Sequence, residues 1–157
     1  MGSRRKQIEM SEEEIQKFLG EQKVAIVTSF GPRGWPHSMP LWYLVEDGKI
    51  RSWTFRKSQK VKNLERDPRA TVLVEAGYDV YPELRGVMYE AETVVHDDPD
   101  TVVDYAIKVG KRYTPGGGEP TPEMIEAFHT QAPKRVVLEF VPVRTVTWDH
   151  RKLGGVY

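Results

Sequence analysis

Residues 53–77 read WTFRKSQKVKNLERDPRATVLVEAG, a pattern that predicts a strand, a basic turn, a short helix and a second strand. Four cations fall in the turn and the first helical residues: Arg56, Lys57, Lys60 and Lys62. Ser58 is a suitable N-cap, and a helix that begins near it directs its unpaired backbone N–H groups and the positive end of its dipole toward this turn. Val61 and Leu64 are expected to face the core, and Asp67-Pro68 is expected to end the helix. The stretch therefore indicates an anion-binding site. A solvated basic turn is the alternative, and the residue types favour neither.

Length, charge and cysteine content narrow the class of protein. The chain has 157 residues, of which 23 are Lys or Arg and 23 are Asp or Glu, so the formal net charge is zero and nucleic-acid binding is disfavoured. The absence of cysteine excludes disulfides, thiolate zinc sites, iron–sulfur clusters and a cysteine nucleophile. No segment has the length of a membrane span, so we predict a cytoplasmic protein. The chain length predicts a single domain (residues 11–157), and the polar first residues predict a flexible N-terminus (residues 1–10).

The residues before the basic turn predict a helix and three strands. Ser11 and Glu14 have the spacing of a capping box, and the helix that they begin is expected to end at Gly20. Strands are predicted over residues 23–30, 36–46 and 49–55, joined by short turns into an antiparallel meander. Asp47-Gly48 predicts the hairpin between the second and third of these strands. Pro36 and Pro40 cannot donate hydrogen bonds, which places their strand at an edge or a bulge.

The residues after the basic turn predict more strands and two helices. Strands are expected over residues 70–77 and 85–97, and then, separated by Pro142, over residues 135–141 and 143–150. Helices are predicted after Asp98-Pro99 and after Thr121-Pro122. This order predicts a mainly β, α+β fold, in which a closed or partly closed antiparallel barrel carries helices at its ends.

Three segments together resemble a known family. They are PHSMPLWY (residues 36–43), FRKSQKVKNLERDPRATVLVE (residues 55–75) and TWDHRKLGG (residues 147–155). They resemble the split-barrel flavin and deazaflavin oxidoreductases related to pyridoxamine 5'-phosphate oxidase. The terminal segment is similar to the branch that uses the deazaflavin coenzyme F420. The resemblance implies an antiparallel split β-barrel with peripheral helices, and a homodimer with its cofactor in a groove at the subunit interface.

The resemblance also implies roles for individual residues. Four residues are expected around the cofactor phosphate: Arg56, Lys57, Ser58 and Lys60. Thr54 is expected near the ribityl chain, and Gly77 near the same cofactor. A proline-interrupted strand is expected to run beside the ring system, through Ser38, Met39, Pro40 and Leu41. Three residues are expected to reach the cofactor from the partner subunit: Trp148, His150 and Arg151.

The expected activity is hydride transfer from the reduced deazaflavin to a small organic acceptor: a quinone, an enone or a tetrapyrrole. The cofactor carries this chemistry, so no catalytic side chain is predicted. Lys57 and Lys62 favour F420 over FMN, because the glutamate tail of F420 adds negative charge beyond its phosphate. The alternatives are an FMN-dependent oxidase or reductase, a non-catalytic flavin or haem carrier, and an interaction module without a small ligand. The four histidines have no metal-binding spacing, so no metal site is predicted.

Overall fold

A computed structural model describes residues 4–154. The helices are α1 (Arg4–Gln7), α2 (Glu12–Glu21), α3 (Gln59–Arg66), α4 (Pro99–Tyr113) and α5 (Pro122–Gln131). The strands are β1 (Val24–Phe30), β2 (Pro36–Trp42), β3 (Leu44–Glu46), β4 (Lys49–Phe55), β5 (Arg69–Ala76), β6 (Arg85–His96) and β7 (Arg135–Asp149). Short 3-10 turns occupy Tyr81–Glu83, Ala132–Lys134 and His150–Leu153.

The seven strands form one antiparallel sheet in the order β2-β1-β5-β6-β7-β4-β3. β2 and β3 lie at opposite edges, yet only Tyr43 separates them in the chain. The sheet must therefore curl until its two edges meet, and the hydroxyl of Ser52 on β4 donates to the carbonyl of Trp42 at that junction. The predicted mainly β, antiparallel split barrel with peripheral helices is confirmed.

The prediction of one strand over residues 36–46 within a meander is wrong, and Tyr43 explains why. Its side chain is fully buried, its hydroxyl donates to the carbonyl of Leu19 at 2.6 Å, and its backbone N–H donates to the hydroxyl of Tyr113 at 3.0 Å. The hydroxyl of Tyr113 also donates to the carbonyl of Tyr43 at 2.7 Å, so both backbone groups of Tyr43 bond to α4 instead of a neighbouring strand, while its side chain is bonded to α2. The chain thus pairs with β1 before Tyr43 and with β4 after it.

Two hydrophobic clusters hold the sheet and the helices together. The inner core fills the curl of the sheet and includes Val72, Val87, Leu138 and Phe140, with Phe18 and Leu19 of α2 and Val61 and Leu64 of α3. The helix-side cluster lies on the other face of β4 and β7, where Val102, Val103 and Val109 of α4 meet Val137. Alternate residues of β7 therefore serve different clusters, as the two-residue period of a strand requires.

The C-terminal strands also differ from the prediction. β7 is one strand of 15 residues, and Pro142 does not interrupt it. Ala91 pairs with Pro142 and Glu90 with Arg144, so Val143 is an extra residue in a bulge. A bulge accommodates a proline because it disrupts the ladder locally.

The N-terminal segment contacts the end of β7. The predicted capping box of Ser11 and Glu14 is confirmed, although α2 continues beyond Gly20 to Glu21. Within the segment predicted to be flexible, residues 4–7 form α1, and the carbonyl of Ile8 accepts a 2.8 Å hydrogen bond from the N–H of Asp149. The flexibility itself stays a prediction. Residues 1–3 and 155–157 of the two predicted ranges lie outside the described part of the chain.

Candidate functional site

The basic turn joins the end of β4 to the start of α3. The N–H of Ser58 donates to the carbonyl of Phe55 at 3.0 Å, which closes a tight turn around Arg56 and Lys57. Val61 and Leu64 are buried in the inner core and fix the helix in place, as predicted. α3 ends at Arg66, before Asp67-Pro68, because a proline disfavours helical geometry in the preceding residue. The N-terminus of α3 is thus anchored by the residues that follow it.

Within the described part of the chain, that N-terminus presents polar groups without protein partners. Ser58 occupies the N-cap position, but its hydroxyl does not cap the helix, contrary to its predicted capping role. The hydroxyl is buried and has no hydrogen-bond partner among residues 4–154. The N–H groups of residues 59–61 have no carbonyl to bond within the helix. These donors together have the chemistry of an anion-binding site.

Lys60 adds a positive charge to the same place. Its ammonium donates to the hydroxyl of Thr54 on β4 at 3.1 Å. Burial lowers the pKa of Lys60, and no nearby carboxylate opposes that effect. We call the Ser58 hydroxyl, the N–H groups of residues 59–61 and the Lys60 ammonium the α3 cradle. It combines a partly desolvated cation with free donors, which suits a phosphate.

Arg56 and Lys57, the two cations of the turn itself, are arranged differently. The guanidinium of Arg56 contacts Asp97, with one nitrogen 3.1 Å from a carboxylate oxygen and another 3.2 Å from the backbone carbonyl. Lys57 is exposed. The structure therefore brings Thr54, Ser58 and Lys60 together and holds Arg56 toward the loop after β6.

The predicted ring-binding strand lies beside the cradle. Beyond the Trp42–Ser52 junction, β2 pairs with β1 and β4 pairs with β7, and within residues 4–154 no strand pairing joins β2 to β4. We call the unpaired line between these two strands the split. Residues 38–41 border the split on one side, and Thr54 and the α3 cradle lie at its other side. β2 is an edge strand, as the prolines predicted, and its free edge exposes backbone groups.

The remaining predicted site residues lie away from the cradle: Trp148 near the end of β7, His150 and Arg151 just after it, and Gly77 after β5. Val136 pairs with Thr54, whereas Trp148 is 12 residues further on, roughly 40 Å of strand. Trp148 packs across Gly86, where a Cβ atom would overlap its ring. Gly77 has a φ of 83°, and a Cβ there would overlap the carbonyl of Glu83, so Gly77 closes the loop after β5.

His150 and Arg151 are bonded within the chain. The backbone N–H of His150 donates to the carbonyl of Leu84 at 2.9 Å. The guanidinium of Arg151 lies 2.6 Å from a carboxylate oxygen of Asp149 and lowers the pKa of that buried carboxyl. Within one chain these residues do not meet the α3 cradle. Their contribution from a partner subunit stays a prediction.

Sequence reasoning missed a cavity on the outer face of the sheet. It has a volume of about 440 Å³, and its lining includes Thr28, Phe30, Arg69, Thr71 and Val143. The hydroxyl of Ser38 lies 2.8 Å from that of Thr28, so the cavity adjoins β2. These side chains come together only through the registers of β1, β5 and β6, which no local motif specifies.

Within residues 4–154, no group of three or more His, Cys, Asp or Glu side chains could hold a metal ion. Over the same residues, no helix is long and apolar enough to span a bilayer.

Comparisons with known proteins agree on one family. The model of the pyridoxamine 5'-phosphate oxidase family matches residues 11–149. The crystal structure of the conserved hypothetical protein Rv2991 of Mycobacterium tuberculosis is 40% identical, with a TM-score of 0.87, and the match covers 98% of this chain and 93% of that one. A search of curated proteins found no match.

More distant structures share the fold. An F420 reductase is 19% identical with a TM-score of 0.61, over 83% of this chain and 94% of that one. HutZ, a heme storage protein of Vibrio cholerae, is 14% identical with a TM-score of 0.65, over 87% of this chain and 94% of that one. At these identities the similarity concerns the fold alone.

Proposed function

The chain belongs to the pyridoxamine 5'-phosphate oxidase family, and from this premise we propose that it is an oxidoreductase that uses coenzyme F420. In this proposal the reduced deazaflavin passes a hydride to a small organic acceptor, such as a quinone, an enone or a tetrapyrrole. The observation that carries the assignment of a phosphate-bearing cofactor is the α3 cradle, in which Ser58 and Lys60 have no anionic partner within the described chain. The choice of F420 over FMN rests on the exposed Lys57 and Lys62 of the same stretch, whose charges suit a glutamate tail.

The cradle fits the phosphate of such a cofactor. A phosphate accepts hydrogen bonds from the N-terminus of α3, from the Ser58 hydroxyl and from the Lys60 ammonium, and it neutralises a charge that the protein has partly desolvated. Thr54 holds the Lys60 ammonium at 3.1 Å and so orients it before any ligand binds. The N-terminus of α3, the Ser58 hydroxyl and the Lys60 ammonium therefore all favour a phosphate at this turn.

In the same proposal, the ring system of the cofactor lies in the split. Residues 38–41 expose backbone groups along the free edge of β2, and these suit the polar edge of a planar ring. The bound cofactor supplies the hydride, so the protein has only to bind the ring, orient it and leave one face open to an acceptor. This division of labour explains why the site needs no acid–base pair.

We propose that the active form is a homodimer. Across the outer face of the sheet, the strand registers align one apolar row: Pro40, Ile26, Leu73, Met88 and Val146. The row faces away from the inner core, because its neighbours Ala25 and Val27 are buried there. A second copy that covers this row would bring its own Trp148, His150 and Arg151 to the split. We propose a cytoplasmic location for this dimer.

A side-by-side fluorescence titration with F420 and FMN tests the proposal. We expect F420 to bind more tightly, and the bound, reduced F420 to be oxidised by a quinone or enone. Tighter binding of FMN would assign the chain to the flavin branch of the family. Absence of affinity for either cofactor would contradict both assignments, and binding of haem without turnover would favour a carrier.

A further inference from the structure

Arg135, the first residue of β7, has an unusual environment. The carbon at the centre of its guanidinium lies 4.4 Å from the centroid of the Trp53 ring and 3.9 Å from that of Phe55. Phe128 of α5 meets Trp53 edge to face, with the ring centroids 6.3 Å apart, and supports this stack from behind. The guanidinium is therefore held in a defined orientation by aromatic side chains.

No anion compensates this cation. Within residues 4–154, Arg135 forms no hydrogen bond or ion pair through its side chain, and its buried Nε has no partner. Burial lowers its pKa, and no carboxylate contributes to the shift. By contrast, Arg51 on the same face of the sheet is bonded to Glu139 and Glu46. A planar guanidinium that is oriented in this way and has no counter-charge among these residues has the geometry to bind a carboxylate through two parallel hydrogen bonds.

Arg135 is joined directly to the turn that forms the α3 cradle. It pairs with Phe55, the last residue of β4, and the N–H of Arg56 donates to the carbonyl of Lys134 at 2.9 Å. Thr54 and Lys60, however, lie on the inner face of the sheet, whereas Arg135 lies on the outer face with Trp53 and Phe55. One small anion cannot touch both cations, because the end of β4 stands between them.

We propose that Arg135, with Lys134 beside it, forms a second anion subsite for carboxylates that the ligand carries beyond its phosphate. The ligand's phosphate would occupy the α3 cradle, and its acidic tail would pass around the end of β4 to the Arg135 stack. This inference rests on the proposed function and deepens it. FMN has no group beyond its phosphate, whereas F420 carries a glutamate tail, so the subsite selects F420 over FMN.

The test compares ligands that differ only in their tails. We would titrate the full-length protein with F420 carrying its glutamates, with the same deazaflavin phosphate trimmed of glutamates, and with FMN, following the emission of the bound ligand. In the wild-type protein the full tail should tighten binding by about ten-fold, the low end for a charge-assisted hydrogen bond. Arg135→Met retains the contact with the rings but removes the charge. It should abolish the tail preference and leave the dissociation constant of the trimmed form unchanged.

Two controls separate this effect from trivial ones. Arg5→Met removes the same charge from α1. Arg5 lies near Arg144, which is roughly 30 Å along β7 from Arg135. This variant should therefore keep the preference for the full tail. The melting temperature of ligand-free Arg135→Met should equal or exceed that of wild type, because an uncompensated cation is lost.

Each outcome bears on one of the two proposals. Equal wild-type affinity for full and trimmed tails, or a tail preference that survives in Arg135→Met, overturns the subsite while the F420 assignment stands. Failure of both deazaflavins to bind overturns the proposed function instead. In that case free oligo-γ-glutamate at millimolar concentration decides the subsite. A change in tryptophan emission in wild type but not in Arg135→Met supports it, and no change in either protein refutes it.

Discussion

Replacement of Lys60 by methionine isolates the electrostatic part of the α3 cradle. Methionine keeps most of the partly buried stem, so packing against β4 changes little, while the ammonium and its 3.1 Å bond to Thr54 are lost. A charge-assisted contact to a phosphate contributes roughly 1.5–3 kcal/mol, so the dissociation constant for F420 should rise by about ten- to a hundred-fold. FMN should lose a similar factor, because its phosphate occupies the same cradle.

Ligand-free Lys60→Met should be as stable as wild type, or more so. In the apo protein the Lys60 ammonium is partly desolvated, lies near the positive end of the α3 dipole and has no carboxylate partner within the described residues. Its removal therefore costs the fold little. Lys17→Met, which removes an exposed lysine of α2, is the matched control and should change neither affinity nor melting temperature.

The pH dependence of binding provides a second readout. Burial places the pKa of Lys60 below its ordinary value of 10.5, and phosphate binds the protonated form. Wild-type affinity should therefore be full at neutral pH and fall as the pH rises through this lowered pKa, whereas Lys60→Met should not show the loss. A dissociation constant that stays within twofold of wild type in Lys60→Met would refute the assignment of the phosphate to this turn.

Three further predictions concern the framework of the site. Gly77→Ala should destabilise the protein by more than about 1 kcal/mol, seen as a lower melting temperature, because a Cβ would overlap the carbonyl of Glu83 at a φ of 83°. Asp149→Asn should be less stable than wild type at neutral pH, because it loses the ion pair with Arg151. Arg151 lowers the pKa of Asp149, so the stabilisation is present above the ordinary pKa of 3.8 and is lost as the pH falls through the lowered pKa. A difference between the two proteins in chemical denaturation that does not change with pH would contradict the pairing. Leu73→Glu, in the apolar row of the outer face, should convert a dimer into a folded monomer in sedimentation, and a monomeric wild type would contradict the dimer.

The elements that the sequence predicted well are those with local causes. The capping box of Ser11, the Asp47-Gly48 hairpin and the stop of α3 at Asp67-Pro68 each depend on a few adjacent residues. The basic turn belongs to this group, since its position between a strand and a helix follows from the same short stretch. Local signals thus locate the α3 cradle before any tertiary contact is known.

The parts that the sequence did not predict depend on distant contacts. The division of residues 36–46 at Tyr43 results from bonds to Leu19 and Tyr113, which lie 24 and 70 residues away in the chain. The continuity of β7 through Pro142 depends on a bulge opposite β6. The stack around Arg135 requires the pairing of β4 with β7 and the docking of α5. Neither periodicity nor spacing encodes such pairings.

Arg56 shows how these two kinds of information combine. Its place in the basic turn predicts a phosphate contact, while the structure bonds it to Asp97, whose side chain is 64% exposed. An exposed ion pair of this kind stabilises a protein by about 0–1 kcal/mol, less than a charge-assisted bond to a phosphate contributes. An anion in the α3 cradle can therefore draw Arg56 away from Asp97 at a small cost. The ion pair with Asp97 is thus compatible with the phosphate role of Arg56, because it keeps the guanidinium ordered beside the turn until a phosphate binds.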